Sequence, residues 1–303
     1  MSTPALRLSA LTKYYGAVIG VEDLSLDVDA GSVFGFLGSN GAGKTTTIRM
    51  LVDLLRPTSG SASILGFDCR RQSIEVRRRV GYLPSETAIY PDITGAGYLK
   101  FFASLARTTV SGARLDALLR RFDVSDLDLR RRMRDYSHGM KRKLGLVQAL
   151  MTEPPVLILD EPSSGLDPLM IEAFCETIEE VTRGGRTTVF LSSHVLSEVD
   201  RICDRIALVR KGRLVAVRGL GELRASAPRR ITILFSQPVN GHVPSLPGAD
   251  FVARDPQRWV VDARGPLGAF VSALAPLPVA DISLEPFALE DSLLQLFGED
   301  PRC

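Results

Sequence analysis

Gly38, Ser39, Asn40, Gly41, Ala42, Gly43, Lys44 and Thr45 meet the spacing G-x-x-x-x-G-K-[ST] at every fixed position. Glycines at these places let the backbone wrap closely, so that successive N–H groups and a helix N-terminus point at one polyphosphate. In such a loop the Lys44 ammonium reaches the β- and γ-phosphates, the Thr45 hydroxyl ligates Mg²⁺ and Thr46 assists at the α-phosphate. A second set of reactive groups, Asp160 and Glu161, follows the apolar run Val156-Leu157-Ile158-Leu159. Adjacent carboxylates beside a phosphate loop suit a division of labour, with Asp160 for Mg²⁺ and Glu161 to orient or polarise an attacking water. His194 follows the next apolar run, Thr187 to Leu191, and in that order can reach a γ-phosphate. The plainer alternatives are a Gly-rich turn, a negatively charged helix start before Pro162 and a surface imidazole.

The surrounding pattern supplies the elements that must hold these groups. Ser32 to Leu37 reads as a buried strand before the loop, and Ile48, Leu51, Val52 and Leu55 recur at helical spacing after it. Strand, glycine loop and helix are the context that a phosphate loop requires. Val156 to Leu159 is short and apolar enough for a fully buried parallel strand, which puts Asp160 and Glu161 at its C-terminal end, where open α/β sheets place their ligands. Met170 to Arg183 reads as a helix with Ile171, Phe174, Ile178 and Val181 inward, and Ile206 to Val209 and Leu214 to Val217 as a hairpin about Lys211-Gly212.

Ahead of the loop, Leu6 to Leu11 and Val21 to Val28 alternate as half-buried antiparallel strands, with Lys13-Tyr14-Tyr15-Gly16 as a turn between them. Its two tyrosines are either surface aromatics or a platform for a base. Arg56 to Gly60 is a break, Ser61 to Leu65 a short strand, and Val80 to Leu83 another that runs into Pro84-Ser85-Glu86. Arg70, Arg71 and Arg77 to Arg79 read as a solvated basic helical stretch, with a phosphate or partner contact as the alternative. From about Thr94 to Met151 the pattern is helical throughout, with Leu99, Phe102 and Leu105 on one face and Leu115, Leu118, Leu119 and Phe122 on another. It closes with Tyr136 to Lys143 leading into a helix from Leu144 to Met151, and Ser137 there is a helix cap or an anion site.

Length and composition fit this picture. At 303 residues the chain is long for one core, and 45% hydrophobic with 24% charged residues is ordinary for a globular protein. The formal net charge of +2 gives no field that argues for nucleic acid. Cys69, Cys175, Cys203 and Cys303 are far apart with no C-x-x-C pair, which argues against a zinc site or a secreted disulfide framework and for a reducing cytoplasm. No basic segment with an apolar h-region opens the chain, and the run from Pro266 to Ala280 is too short and proline-broken to span a membrane.

Taken in order over Leu6 to Gly219, these motifs resemble those of the nucleotide-binding subunit of an ATP-binding cassette (ABC) transporter. The resemblance implies an α/β P-loop NTPase of the ABC ATPase type, a mixed sheet core with antiparallel β and α-helical subdomains. It places the nucleotide-binding domain at residues 1–220, with its helical subdomain at about 92–150. By the family pattern Tyr15 stacks on adenine, Gly38 to Thr45 are the Walker A loop, and Val156 to Glu161 are the Walker B strand with its catalytic glutamate. Asp167 lies in the D-loop, His194 is the switch histidine, and Ser137 and Gly139 belong to the signature motif. The implied cofactors are ATP and Mg²⁺. The implied partners are a separate transmembrane permease and a second ATPase subunit, identical or paired, meeting head to tail at the cytoplasmic face of a bacterial membrane; no nucleic acid is expected.

Two departures stand out. The signature, usually L-S-G-G-Q, is Tyr136-Ser137-His138-Gly139-Met140, a form that resembles the ABC-2-type exporters of drugs, antibiotics or lipids. Where the family has the Q-loop glutamine this chain has Ser85, whose shorter arm reaches Mg²⁺ or water through a bridging water, with Glu86 as a substitute. After Gly219 the pattern changes: Gly221 to Arg230 reads as a linker, followed by strands at Ile231 to Phe235, Phe251 to Arg254, Trp259 to Ala263 and Ala280 to Leu284. Helices are expected near Leu267 to Leu274 and over Leu289 to Phe297. Residues 221–303 thus read as a small C-terminal α+β domain, similar to the accessory domain of ABC-2-type ATPases, with Ile282 to Pro286 and Leu289-Glu290 in a typical place. The alternatives are a soluble ABC-type ATPase not associated with a transporter, against which stand the single cassette and the lack of long heptads, and a degenerate cassette, for which only Ser85 speaks.

Overall fold

The structure is a computed structural model that describes residues 3–86, 90–106, 109–226, 229–239, 246–265 and 267–284. The chain divides into two compact units, Met1–Arg218 and Gly219–Cys303.

The first unit is built on a six-stranded sheet in the order Arg213–Gly219, Arg205–Arg210, Val33–Leu37, Thr188–Ser193, Val156–Asp160 and Val80–Leu83. The four ladders from Arg205–Arg210 across to Val80–Leu83 are parallel. Parallel strands covered on both faces need continuous apolar runs, and every residue of Val33–Leu37, Val156–Asp160 and Thr188–Ser193 is buried. Phe34 and Phe190 stack at 5.9 Å between neighbouring strands. The register sets Leu37 opposite Ser193 and Asp160 opposite Ser192. Three strands therefore end level, and Gly38, Glu161 and His194 leave the sheet at the same edge. Ser192 and Ser193 belong to the strand itself, two residues beyond the expected end at Leu191.

A four-stranded antiparallel sheet, ordered Val18–Val28, Leu6–Tyr15, Ser59–Ile64 and Phe67–Asp68, packs its apolar face into the same core. Alternation is interrupted at Ala10, whose φ of 47° accompanies a register shift between Leu8 and Leu11. The tyrosines lie in a strand, where a turn is expected: Tyr14 pairs with Ile19 and Tyr15 with Val18, leaving Gly16 and Ala17 to turn the chain. Ser59 and Gly60 likewise extend the next strand. Of the basic stretch only Ser73–Arg77 is helical. Arg78 and Arg79 pair with Glu75, while Asp68 accepts the backbone N–H groups of Arg70 and Arg71.

Between the strands Val80–Leu83 and Val156–Asp160 lie the helices Gly95–Ala106, Gly112–Arg121, Asp126–Arg130 and His138–Leu150. The segment is not helical throughout, because Arg132 is extended and bridges Thr94. Leu99, Leu118, Leu119 and Phe122 are buried as their spacing requires, whereas Leu105 is exposed. The last helix starts at His138 rather than Leu144, with Ser137 as its N-cap accepting from the Met140 amide. The basic residues Lys141 to Lys143 are therefore helical, and that places Arg142 on a buried face.

The second unit begins with the helix Leu220–Ser226, where Gly221 and the following polar residues suggest a linker. Its four-stranded antiparallel sheet runs in the order Ala249–Asp255, Arg258–Ala263, Arg229–Phe235 and Val279–Leu284. Ile231, Ile233, Trp259 and Val261 join Phe270 and Leu274 of the helix Gly268–Leu274 in its core. The expected helix Leu289 to Phe297, with Glu285, Pro286 and Glu290, lies outside the described residues.

Candidate functional site

Gly38 to Gly43 curl from the end of Val33–Leu37 into the helix Lys44–Leu51. Gly43 has φ 102°, and a Cβ there would stand 2.6 Å from the Gly20 carbonyl oxygen, so both backbone shape and space demand glycine. The hairpin turn locks the loop from outside: Gly212 N–H donates to Ala42 O at 3.0 Å, and Glu22 N–H donates to Gly212 O at 2.8 Å. Lys211 and Gly212 both take positive φ, as a two-residue hairpin prefers. First-turn amides of the helix after Gly43 have no intrahelical acceptor. Lys44 folds back over the loop, its Nζ donating to Gly38 O at 2.7 Å and lying 3.0 Å from Glu161 Oε1.

Asp160 is fully buried, and its Oδ1 accepts from Ser192 Oγ at 2.6 Å. Its Oδ2 is buried without any hydrogen-bond partner. A buried carboxylate oxygen left unpaired is costly unless a cation or donor arrives to meet it. Glu161 next to it has φ 51°, in the left-handed region, and its N–H is held by both O and Oγ of Ser192 at 3.2 and 3.1 Å. This turn aims the carboxylate away from the sheet, where Oε1 meets Lys44 and Oε2 lies 2.5 Å from Nδ1 of His194. Lys44, Glu161 and His194 thus form one contiguous group.

These side chains line a cleft of about 630 Å³ with Ser39, Asn40, Gly41, Ala42, Gly43, Thr45, Thr46, Ser85 and Tyr15. Tyr15 is 48% exposed; its hydroxyl lies 3.5 Å from Thr46 Oγ1, and its ring rests on Gly20. Tyr14, by contrast, spends its hydroxyl on Glu22 Oε1 at 2.6 Å. That hydrogen bond raises the Tyr14 pKa and lowers that of Glu22. Ser137, Gly139 and Asp167 are not part of this lining. Ser137 and Asp167 cap helices, Asp167 Oδ1 accepting from the Met170 amide, and Gly139 packs against the Gly165 carbonyl of the turn before Asp167.

The ABC transporter family profile matches residues 21–164. Over 313 aligned residues the chain is 36% identical to the daunorubicin resistance ATP-binding protein DrrA3 of Streptomyces coeruleorubidus, covering all of this chain and 98% of that one. The chain belongs to the ABC transporter ATP-binding family. It is also 36% identical over 215 residues to the bacitracin transport ATP-binding protein BcrA of Bacillus licheniformis, covering 71% of this chain and 70% of that protein. Among solved structures, an ATP-binding subunit of an ABC transporter aligns with TM-score 0.67 and 34% identity over 73% of this chain and 92% of the other. A dimeric ATP-binding cassette bound to ADP and Pi, 19% identical with TM-score 0.65, shares the fold.

This ABC ATPase also uses residues that motif spacing does not reveal. Ser192 supports both carboxylates, Val18 and Ile19 form the apolar rim beside Tyr15, and His138 and Ser164 bring the helical segment and the turn after Glu161 to the cleft. Arg142, in a run of three basic residues that suggests solvent, is 1% exposed and donates only to carbonyl oxygens. Burial pulls its pKa down, and the charges of Asp160 and Glu161 oppose that effect. Glu198, buried in the helix after His194, has its pKa raised by desolvation.

Proposed function

We propose that the cleft binds and hydrolyses MgATP, and that the chain acts as the ATPase subunit of an exporter whose membrane-crossing part is a separate polypeptide. The convergence of Lys44, Glu161 and His194 beside the glycine loop is the observation that carries the proposal. Tyr15 stacks on the adenine, and Ser39 to Thr46 wrap the phosphates with backbone amides. Lys44 leaves its carbonyl and carboxylate partners for the γ-phosphate, which frees Glu161 to orient the attacking water and lets His194 hold the γ-phosphate's far side. The unpaired Oδ2 of Asp160 fits a divalent cation, which the hydroxyls of Thr45 and Ser85, both in the lining of the cleft, would help to hold. Among the described residues no three His, Cys, Asp or Glu side chains cluster to hold a metal alone, which suits Mg²⁺ bound through one carboxylate and phosphate oxygens. When bound, Mg²⁺ supplies charge neutralisation of the β- and γ-phosphates.

Because Ser137, Gly139 and Asp167 lie outside their own chain's cleft, the proposal assigns them to the cleft of a second ATPase subunit placed head to tail. The relatives' names, resistance to daunorubicin and transport of bacitracin, favour an exporter at the cytoplasmic face of the membrane. Among the described residues no helix is long and apolar enough to cross a membrane. A groove of about 440 Å³ with exposed Leu54, Ile74 and Leu105 and a rim of Arg77 and Arg78 borders the strand that delivers Ser85. It suits a short amphipathic helix of the permease.

Glu161→Gln tests the core of this proposal. The amide keeps the shape but not the charge, so ATP binding should persist, dimers should accumulate in ATP on gel filtration, and turnover should fall by about 10²-fold or more. Turnover within a few-fold of the parent would remove Glu161 from the chemistry.

A further inference from the structure

Arg142 stands one turn into the helix His138–Leu150, and its buried guanidinium contacts the backbone of Ser85, Glu161 and Ser164, three residues of the cleft lining. Nη1 donates to Pro84 O at 2.6 Å, Nη2 to Ser85 O at 3.0 Å and to Glu161 O at 2.7 Å, with Asp160 O at 3.4 Å; Nε faces Ser164 O at 3.4 Å. All five acceptors are backbone carbonyls, and they come from three segments: the turn after Val80–Leu83, the end of Val156–Asp160, and the turn leading to Asp167. Each segment carries a group that the proposed chemistry needs. A planar fork of five donors is the side chain that can serve carbonyls on three sides at once; the compact ammonium of lysine cannot.

The most demanding of these contacts is at Glu161. A non-glycine residue in the left-handed region costs on the order of 1 kcal/mol or more and persists only where its surroundings hold it. Ser192 fixes the peptide N–H on one side of Glu161, and Arg142 fixes the carbonyl on the other. With both peptide groups pinned, the direction in which the Cα–Cβ bond of Glu161 leaves the backbone is set, and the carboxylate can reach Lys44 and His194. We propose that Arg142 is a positioning residue for ATP hydrolysis, which fixes the aim of the Glu161 carboxylate and ties it to the Ser85 turn. The proposal rests on the assignment of Glu161 given above.

The test compares Arg142→Lys, Glu161→Gln and the double variant. Turnover is normalised to titrated ATP-binding sites, so that any unfolded fraction drops out, and the ATP Kd is measured separately. If Arg142 acts by aiming Glu161, Arg142→Lys lowers kcat at least tenfold while the ATP Kd stays within about threefold. The double variant then turns over no more slowly than Glu161→Gln alone, because the group being aimed is already gone. Arg142→Gln, which keeps fewer donors, should fall further than Arg142→Lys with the same unchanged Kd. Three results overturn the proposal: kcat of Arg142→Lys within threefold of the parent, losses that multiply in the double variant, or ATP sites lost in both Arg142 variants, which would make the arginine a determinant of folding alone. A Glu161→Gln protein that keeps its turnover would refute the Glu161 assignment instead, and the two failures are distinguishable.

Discussion

Ser192→Ala removes one hydroxyl that serves both carboxylates of the site. Its Oγ donates to Asp160 Oδ1 at 2.6 Å and accepts from the Glu161 N–H at 3.1 Å, in a position with no exposure. The Glu161 amide keeps the Ser192 carbonyl at 3.2 Å, so most of the loss falls on Asp160. Since Oδ2 is already unpaired, the variant leaves a fully buried carboxylate with no donor among the described residues. A hydrogen bond to a buried charge contributes about 1.5–3 kcal/mol. For a unit of this size that corresponds to a melting shift of roughly 3–12 °C. The transition to follow is the one that ATP moves, which marks the nucleotide-binding unit in a two-unit chain. If Asp160 holds Mg²⁺ as proposed, loss of the partner that orients its carboxylate also weakens metal affinity by about 10–100-fold. The Mg²⁺ concentration for half-maximal turnover should rise accordingly, measured by steady-state hydrolysis at fixed ATP. Should both the melting temperature and the Mg²⁺ requirement stay at parental values, Ser192 does not support Asp160 and the metal assignment loses its main footing.

Tyr15→Ala should weaken ATP binding by about 1–2 kcal/mol while leaving turnover at saturation near the parent's; the same loss in Tyr14→Ala instead would move the platform to the neighbouring ring. Gly43→Ala should abolish nucleotide binding in equilibrium titrations, because its Cβ would meet the Gly20 carbonyl at 2.6 Å in a backbone shape that alanine resists; measurable ATP binding at parental affinity would contradict the loop geometry. Burial raises the Glu198 pKa, so the folded state holds that proton more tightly than the unfolded chain does. Stability from this group is therefore full below the ordinary carboxylate range and declines as pH climbs through the raised value. Glu198→Gln should accordingly gain melting temperature relative to the parent at neutral pH and gain less in acid; a pH-independent difference would exclude titration as the cause.

How far the sequence led depended on which physical signal each residue carried. Val156 to Leu159 was readable because a strand buried on both faces must be apolar throughout, and that run led directly to Asp160 and Glu161. Ser192 and Ser193 read as lying past their strand because polar residues look like loop, although here one hydroxyl is buried to pair with a carboxylate. Tyr14 and Tyr15 read as a turn because Gly16 marks one; the pairing of Tyr15 with Val18 makes the hairpin tighter than the glycine alone suggests. Gly221 to Arg230 reads as a linker because Gly221 breaks the pattern, whereas burial of Leu220 and Leu223 accompanies a helix over Leu220–Ser226. Arg142 is the residue whose place the sequence reveals least. In a row with Lys141 and Lys143 it carries no signal for burial, and the carbonyls that hold it come from parts of the chain 18 to 58 residues away.

That long-range contact bears on two of the positions where the chain leaves the family pattern, Ser85 and His138. At Ser85 the side chain is short, yet the link from this turn to Glu161 runs through the Ser85 carbonyl and Arg142, which any residue at that position would offer. The substitution thus changes what the turn can present to a cation or water while keeping the backbone connection beneath it. At His138 the change has the opposite character, because the imidazole is packed against Gly165 so closely that a Cβ on that glycine would collide with the ring. A bulkier signature residue therefore constrains the turn before Asp167, and Arg142, one turn further along the same helix, holds Ser164 in that turn from below. Helix, turn and Glu161 are then coupled through two side chains of one helix. Any motion of the helical segment during the ATP cycle must carry the turn and the glutamate with it or break those contacts.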